Sequence, residues 1–214
     1  MDEEITIIDS KTRNEKIKIF FVENKKLLIY ISTFLILILI SFFSYQTYKN
    51  GHIEWLSNKY NTAVIDYEEG DKTKSITSMK EVIKDKNSTY SPLALYFLID
   101  NNLINDQDEI NKLFDILIEE IRLEKEIKNL IIYKKALLNS ESQSENDLLK
   151  ILNPIINSES IWKSHALYLL GEYFYSKNEK QKAKEFFNQI LVLENSNSDI
   201  KIESQKRINR DFGE

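Results

Sequence analysis

The chain of 214 residues contains only four glycines and two prolines, and because tight β-turns depend on these residues, the composition argues against a sandwich or a barrel. The absence of cysteine excludes disulfides, cysteine-ligated zinc and thiol nucleophiles. The net charge is -5 and no basic patch stands out, so nucleic acid is not an expected partner.

Residues 1–26 form the first predicted segment, a polar arm. Residues 1–10 carry no helical pattern, and we expect them to be loosely ordered. From Lys11 onward, apolar residues recur at helical spacing between lysines, which predicts a short basic amphipathic helix. Such a helix either lies on anionic lipid or docks on a membrane partner, and the residues alone favour lipid. The candidate partner-binding residues of the arm are Phe20, Phe21, Glu23, Asn24 and Lys25.

An uninterrupted apolar stretch follows the arm. Residues 27–45 contain no charge, and at about 1.5 Å per residue they span roughly 28 Å, close to the ~30 Å hydrocarbon core of a bilayer. A buried core helix that is apolar all round is rare in so small a domain. A cleaved signal peptide would have a shorter apolar region and a small-residue cleavage site. We therefore predict one uncleaved transmembrane helix at residues 27–48.

Basic residues are concentrated before this stretch. They are Lys11, Arg13, Lys16, Lys18, Lys25 and Lys26, against only Lys49 and Lys59 in a similar length after it. Because basic residues favour the cytoplasmic side, the N-terminus is predicted to be cytoplasmic. Residues 49–214 then lie across the inner (plasma) membrane, in the periplasm of a Gram-negative bacterium.

Beyond Gly51, apolar positions recur at helical spacing and polar turns separate them. No segment alternates like a half-buried strand, so the predicted fold class is all-α. The predicted helices cover residues 53–69, 72–86, 91–103, 107–120, 123–139, 144–157, 160–176, 179–193 and 198–210.

The clearest internal repeat lies at residues 164–195. Gly171 is followed by Phe174, Ala183, Phe187 and Ile190 at the spacing of a tetratricopeptide unit, two helices in about 34 residues. Small residues let the two helices approach closely, and the phenylalanines fill the space beside the crossing. Such a pair cannot bury both faces alone and must stack on neighbours. The prediction is a tetratricopeptide-like α-solenoid of stacked helix pairs.

Weaker copies of the same spacing occur upstream. Their small and apolar positions are Ala63, Ser75, Met79 and Val82 in one unit, Ala136, Leu148, Leu152 and Ile155 in another, and Leu98, Ile110, Phe114 and Leu117 in a third. The last helix carries isoleucines among charges, which is typical of the polar cap that ends a solenoid.

Tyrosine recurs at positions that face the concave side of the predicted superhelix. Either these rings pack between helices, or they line a groove for peptide or protein segments, and the sequence leaves both open. The candidate groove residues are Tyr60, Tyr67, Tyr133, His165, Tyr168, Glu172 and Tyr175.

The sequence offers little for chemistry. The two histidines, His52 and His165, lie in different predicted helices, and neither has a second ligand at helical spacing. No phosphate-binding glycine loop, metalloprotease motif or nucleophile elbow is present. We expect no enzymatic activity, no cofactor, no metal and no small-molecule substrate.

The arrangement resembles the YfgM-like family. The resemblance is carried by the stretch Phe20-Phe21-Val22-Glu23-Asn24-Lys25 before one span, and by the repeat at residues 164–190. It implies anchoring in the inner membrane, a periplasmic tetratricopeptide domain, and association with the SecYEG translocon and the chaperone PpiD. It also implies a role in passing secreted proteins to periplasmic chaperones, and it raises the docking interpretation of the arm. The alternative is an envelope scaffold that organises an assembly or division complex.

Overall fold

A computed structural model of the chain describes residues 15–213. The predicted loose segment 1–10 and the start of the basic helix at Lys11 lie outside the described residues. The chain divides into two compact units, the first ending at Leu56 and the second beginning at Ser57.

The first unit is helical throughout its described residues except at Asn24. Residues 15–23 form α1, and α2 covers Lys25–Glu68. The sequence predicted separate helices at 27–48 and 53–69, whereas the structure has one helix that continues through Gly51. A single glycine inside a helix costs only about 1 kcal/mol, and no proline lies nearby to end the helix.

The apolar side chains of residues 29–45 are all exposed. Ile38 is 48% exposed and Phe34 is 64% exposed. Among the described residues, α2 is the one helix long and apolar enough to cross a membrane, and none of its apolar window is buried.

The second unit consists of short helices joined by turns, and no strand occurs among residues 15–213. The all-α prediction is therefore confirmed for the described part of the chain. After α2 the elements are α3 Lys72–Lys84, α4 Tyr90–Asp100, α5 Gln107–Asp115, a π-helical turn Ile116–Glu120, α6 Lys125–Asn139, α7 Glu145–Ile156, α8 Lys163–Ser176, α9 Lys180–Val192 and α10 Ser198–Asp211.

The predicted turns contain the residues that end and begin these helices. Gly70 and Asn178 adopt positive φ values of 95° and 61°, the left-handed conformation that closes a helix C-terminus. The amide of the next residue, Glu179, donates a hydrogen bond to the Phe174 carbonyl at 2.9 Å. The next helices begin with side-chain caps, as where Asp71 accepts from the Lys74 amide at 3.0 Å.

Consecutive helices of the second unit pack in pairs. The most extensive packing joins α8 to α9, followed by α3 to α4, with α6 to α7 and α9 to α10 next. The predicted small and apolar positions are buried, as expected: Ala63, Ser75, Met79, Val82, Leu98, Ile110, Phe114, Leu117, Ala136, Leu148, Leu152, Ile155, Phe174, Ala183, Phe187 and Ile190.

Gly171 shows why a small residue is needed in the last pair. A Cβ atom added to Gly171 would lie 2.6 Å from a ring atom of Phe187. That separation is well inside the 3.5–4.0 Å of ordinary carbon contacts. Phe187 is fully buried, so its ring has little room to move away. The close approach predicted from the spacing is present in the structure.

Candidate functional site

The candidate groove residues of α2 contact α4. Tyr60 lies 6.0 Å from Tyr90 and 6.4 Å from Phe97, measured between ring centroids. Tyr67 contacts the same phenylalanine edge-to-face, with centroids 5.4 Å apart. Phe97 therefore joins both predicted tyrosines into one aromatic cluster, which the tyrosine pattern alone did not reveal.

A second cluster surrounds His165. Tyr133 stacks on Trp162 with centroids 5.9 Å apart, and both rings contact His165, at 5.9 Å and 5.1 Å. Burial lowers the pKa of His165, so neutral imidazole is favoured there. Its Nδ1 atom is buried and has no hydrogen-bond partner among the described residues. Trp162 was missed, although its position three residues before His165 places both on one helical face.

The remaining candidates lie on α8 beneath the C-terminal helix. Arg207 of α10 donates two hydrogen bonds to the Glu172 carboxylate, each 2.7 Å long. The same guanidinium sits 4.4 Å from the ring centroid of Tyr175, which also contacts Phe212 edge-to-face at 5.7 Å. The last helix therefore covers these positions with side chains of its own.

Tyr168 belongs to the same α8 surface. Its ring meets Phe187 edge-to-face at 5.5 Å. Burial, followed by the charge of Glu172, raises the pKa of Tyr168 to about 12. The phenol therefore stays protonated at neutral pH and is available as a hydrogen-bond donor.

The structure thus brings the candidate groove residues together in three clusters. Each predicted tyrosine contacts another aromatic ring, as the packing alternative requires. Each is also only half-buried, so part of every ring faces solvent, as the groove alternative requires. Arg207 is the main residue that the sequence analysis missed. Its spacing of seven from Ile200 and three from Ser204 was the available signal.

The candidate residues of the arm lie where α1 meets α2. Phe20 and Phe21 are 55% and 57% exposed, and their rings meet edge-to-face at 6.0 Å. The Asn24 side chain donates to the Phe20 carbonyl at 2.9 Å, which satisfies a carbonyl at the end of α1. Glu23 and Lys25 are exposed on either side of this junction. The arm presents two phenylalanine rings and alternating charge to its surroundings.

Within residues 15–213, no group of three or more histidine, aspartate or glutamate side chains could hold a metal ion. Comparison with protein-family models, curated proteins and solved structures finds no match for the chain. The resemblance to the YfgM-like family therefore stays a prediction from the residues quoted for it.

Proposed function

We propose that the chain is a single-pass protein of a bacterial inner membrane that binds other proteins and has no catalytic activity. The single observation that carries this proposal is the exposure of the apolar half of α2. None of its apolar window is buried against the rest of the chain. Exposing that apolar surface to water would cost roughly 25 cal/mol of free energy per Å². Lipid is the solvent that such a helix requires.

The proposed orientation places the arm, residues 1–26, in the cytoplasm and residues 49–214 in the periplasm. Six lysines and arginines lie before the span, and this charge asymmetry supports the orientation. Phe20 and Phe21 then lie at the cytoplasmic interface, where aromatic rings are favoured. They contact lipid, the translocon, or both.

We also propose that the second unit is a tetratricopeptide-like solenoid. The sequential pairing of α3 with α4, α6 with α7 and α8 with α9 supports this arrangement. So does the packing of Gly171 against Phe187, since small-residue crossings are what the repeat spacing selects. Solenoids of this kind present extended surfaces to partners and have no need of an enclosed active site.

The proposed partners are the SecYEG translocon and a PpiD-like periplasmic chaperone, between which the protein assists the hand-off of secreted chains. The family resemblance supports this assignment. The alternative role, an envelope scaffold, shares the anchor and the helical domain. The two roles differ only in the proteins that they place beside the chain.

Photocrosslinking in living cells tests the proposal. A photoreactive residue placed at Phe21, Leu37 or Tyr168 reports the neighbours of the arm, the span and the helical domain separately. We expect SecY adducts from Phe21 or Leu37 and a periplasmic chaperone adduct from Tyr168. Adducts with division or envelope-assembly proteins, without SecY, would support the scaffold role. A tag at the C-terminus that resists added protease after outer-membrane removal would contradict the orientation.

A further inference from the structure

An open groove lies between α4 and α6, and none of the candidate site residues predicted from the sequence lines it. Its volume is about 440 Å³, inside the range of roughly 300–1,000 Å³ typical of ligand sites. Its apolar lining consists of Tyr96, Ile99, Phe114, Leu137 and Leu138.

Two adjacent leucines of α6 make this groove unusual for the second unit. Leu137 is 49% exposed and Leu138 is 38% exposed, whereas Phe114 beside them is only 1% exposed. A soluble surface tolerates scattered leucines, but neighbouring ones beside a depression mark a contact site. The groove thus offers an apolar floor with two leucines accessible to a partner.

The charges around the groove select the partner. Asp100 and Glu141 are both exposed at its edge, and neither forms an ion pair with a described residue. The base among the lining residues, Lys134, has its ammonium 3.8 Å from the ring centroid of Tyr96. This cation–π contact holds the Lys134 ammonium against the ring. The lining residues therefore carry two carboxylates against one ammonium, and their net charge is negative.

We propose that this groove binds a short unfolded polypeptide segment that carries leucine-like side chains next to a lysine or arginine. The apolar floor takes the aliphatic side chains, and the two rim carboxylates pair with the base. An anionic phospholipid would fit the floor but would be repelled by Asp100 and Glu141. The inference deepens the proposed function and rests on it in one respect, namely that the segment belongs to a secreted chain.

The test uses the full chain in nanodiscs of zwitterionic lipid, with empty nanodiscs as background. The probes are two fluorescent eight-residue peptides of serine and glycine with one Leu-Leu pair, followed by lysine in one and glutamate in the other. Fluorescence anisotropy gives the two affinities. We expect the lysine peptide to bind about tenfold more tightly, which corresponds to about 1.4 kcal/mol. Equal affinities would overturn the proposal.

Three variants locate the binding. Leu138→Ser is expected to weaken the lysine peptide about fivefold by removing apolar contact. The double variant Asp100→Asn, Glu141→Gln should abolish the preference for lysine. Leu93→Ser is the matched control, since Leu93 lies on α4, is 44% exposed and does not line the groove. If Leu93→Ser weakens binding as much as Leu138→Ser does, the groove is not the site.

The double variant keeps the proposal falsifiable if Leu138→Ser fails to fold, because exposed carboxylates without ion pairs contribute little to stability. SecY crosslinking from position 21 separates this proposal from the proposed function. SecY adducts without peptide binding would refute the groove alone. Peptide binding without SecY adducts would refute the translocon association alone.

Discussion

The two units place the same residue types in opposite surroundings. In the first unit Ile38 is 48% exposed, while in the second unit Ile131 is 1% exposed. Likewise Phe34 is 64% exposed and Phe187 is fully buried. Both regions are rich in isoleucine, leucine and phenylalanine. What differs is the charged residues between them, because residues 27–45 contain none, whereas charged residues recur throughout the second unit.

The difference teaches that the distribution of apolar and charged residues around a helix decides where its apolar side chains lie. In helices of the second unit such as α5 and α7, apolar residues occupy one stripe, and that stripe is buried. The more apolar α8 packs against several neighbouring helices and is buried around most of its circumference. In residues 27–45, apolar residues cover the whole circumference, and none of this apolar window is buried in the structure. A region of this kind needs an apolar solvent, which is the physical basis of the proposed membrane anchor.

The largest expected effect comes from truncating one phenylalanine in each unit. Phe187→Ala should lower the free energy of unfolding by about 3–5 kcal/mol, because it removes a fully buried ring and leaves a cavity. Phe34→Ala should change the free energy of unfolding by less than about 0.5 kcal/mol, because that side chain is 64% exposed. Denaturant titration of the full chain in nanodiscs, followed by circular dichroism, measures both. If both variants lowered the free energy of unfolding equally, the contrast between the two units would be contradicted.

The second prediction concerns the buried charge of α10. Arg207 has a side chain only 11% exposed and holds Glu172, whose side chain is 36% exposed, through two hydrogen bonds. Arg207→Gln should therefore lower the free energy of unfolding by about 2 kcal/mol, the value typical of hydrogen bonds to charged groups. The same titration measures this loss.

Lys206→Gln provides the control for Arg207. Lys206 is the next residue of α10, pairs with Glu203 at 3.2 Å, and has a side chain 67% exposed. Removing an exposed ion pair of this kind should change the free energy of unfolding by less than about 0.5 kcal/mol. If both variants lower the free energy of unfolding by the same amount, Arg207 contributes only as a surface charge and does not hold α10 against α8.

The sequence was informative where local spacing decides the outcome. The positions of most helices and turns follow from the periodicity of apolar residues along the chain. The contact of Gly171 with Phe187 follows from the absence of a side chain at Gly171. The role of Arg207 was not predicted, because its partner lies 35 residues away and the helix was interpreted as a polar cap. The π-helical turn at Ile116–Glu120 was likewise predicted as ordinary helix. Nothing in the sequence of these five residues distinguishes the wider π-helical turn from an α-helical one.

The α4–α6 groove illustrates the same limit. Tyr96 and Lys134 are far apart in sequence, and their cation–π contact exists only because two helices meet. Periodicity placed Phe114 in the core, but it did not indicate that Leu137 and Leu138 would remain exposed. A groove is what remains open after helices pack, so it depends on the tertiary arrangement and not on any one helix.

The third prediction compares the two helical glycines, one in each unit. At Gly171 an added Cβ collides with Phe187, whereas at Gly51 it meets nothing within 4 Å. Gly171→Ala should lower the free energy of unfolding by about 1 kcal/mol, since overpacking of roughly 2 kcal/mol outweighs a helix gain of about 1. Gly51→Ala has only the helix gain and should stabilise α2. Circular dichroism during the same titration measures both changes, and a stabilising Gly171→Ala would show that the crossing is loose.

The smallest expected effect is a pH dependence carried by His165. Burial lowers the pKa of His165 in the folded protein below its ordinary value of about 6.5. As pH falls through that value, the unfolded chain takes up a proton that the folded chain resists, so stability is complete above pH ~6.5 and declines below it. His165→Gln should remove this decline. His52→Gln, in the first unit, is the control. Unfolding titrations at pH 7.5 and pH 5.5 compare the variants. If the decline persists in His165→Gln, other titrating groups cause it, and the buried imidazole of His165 does not.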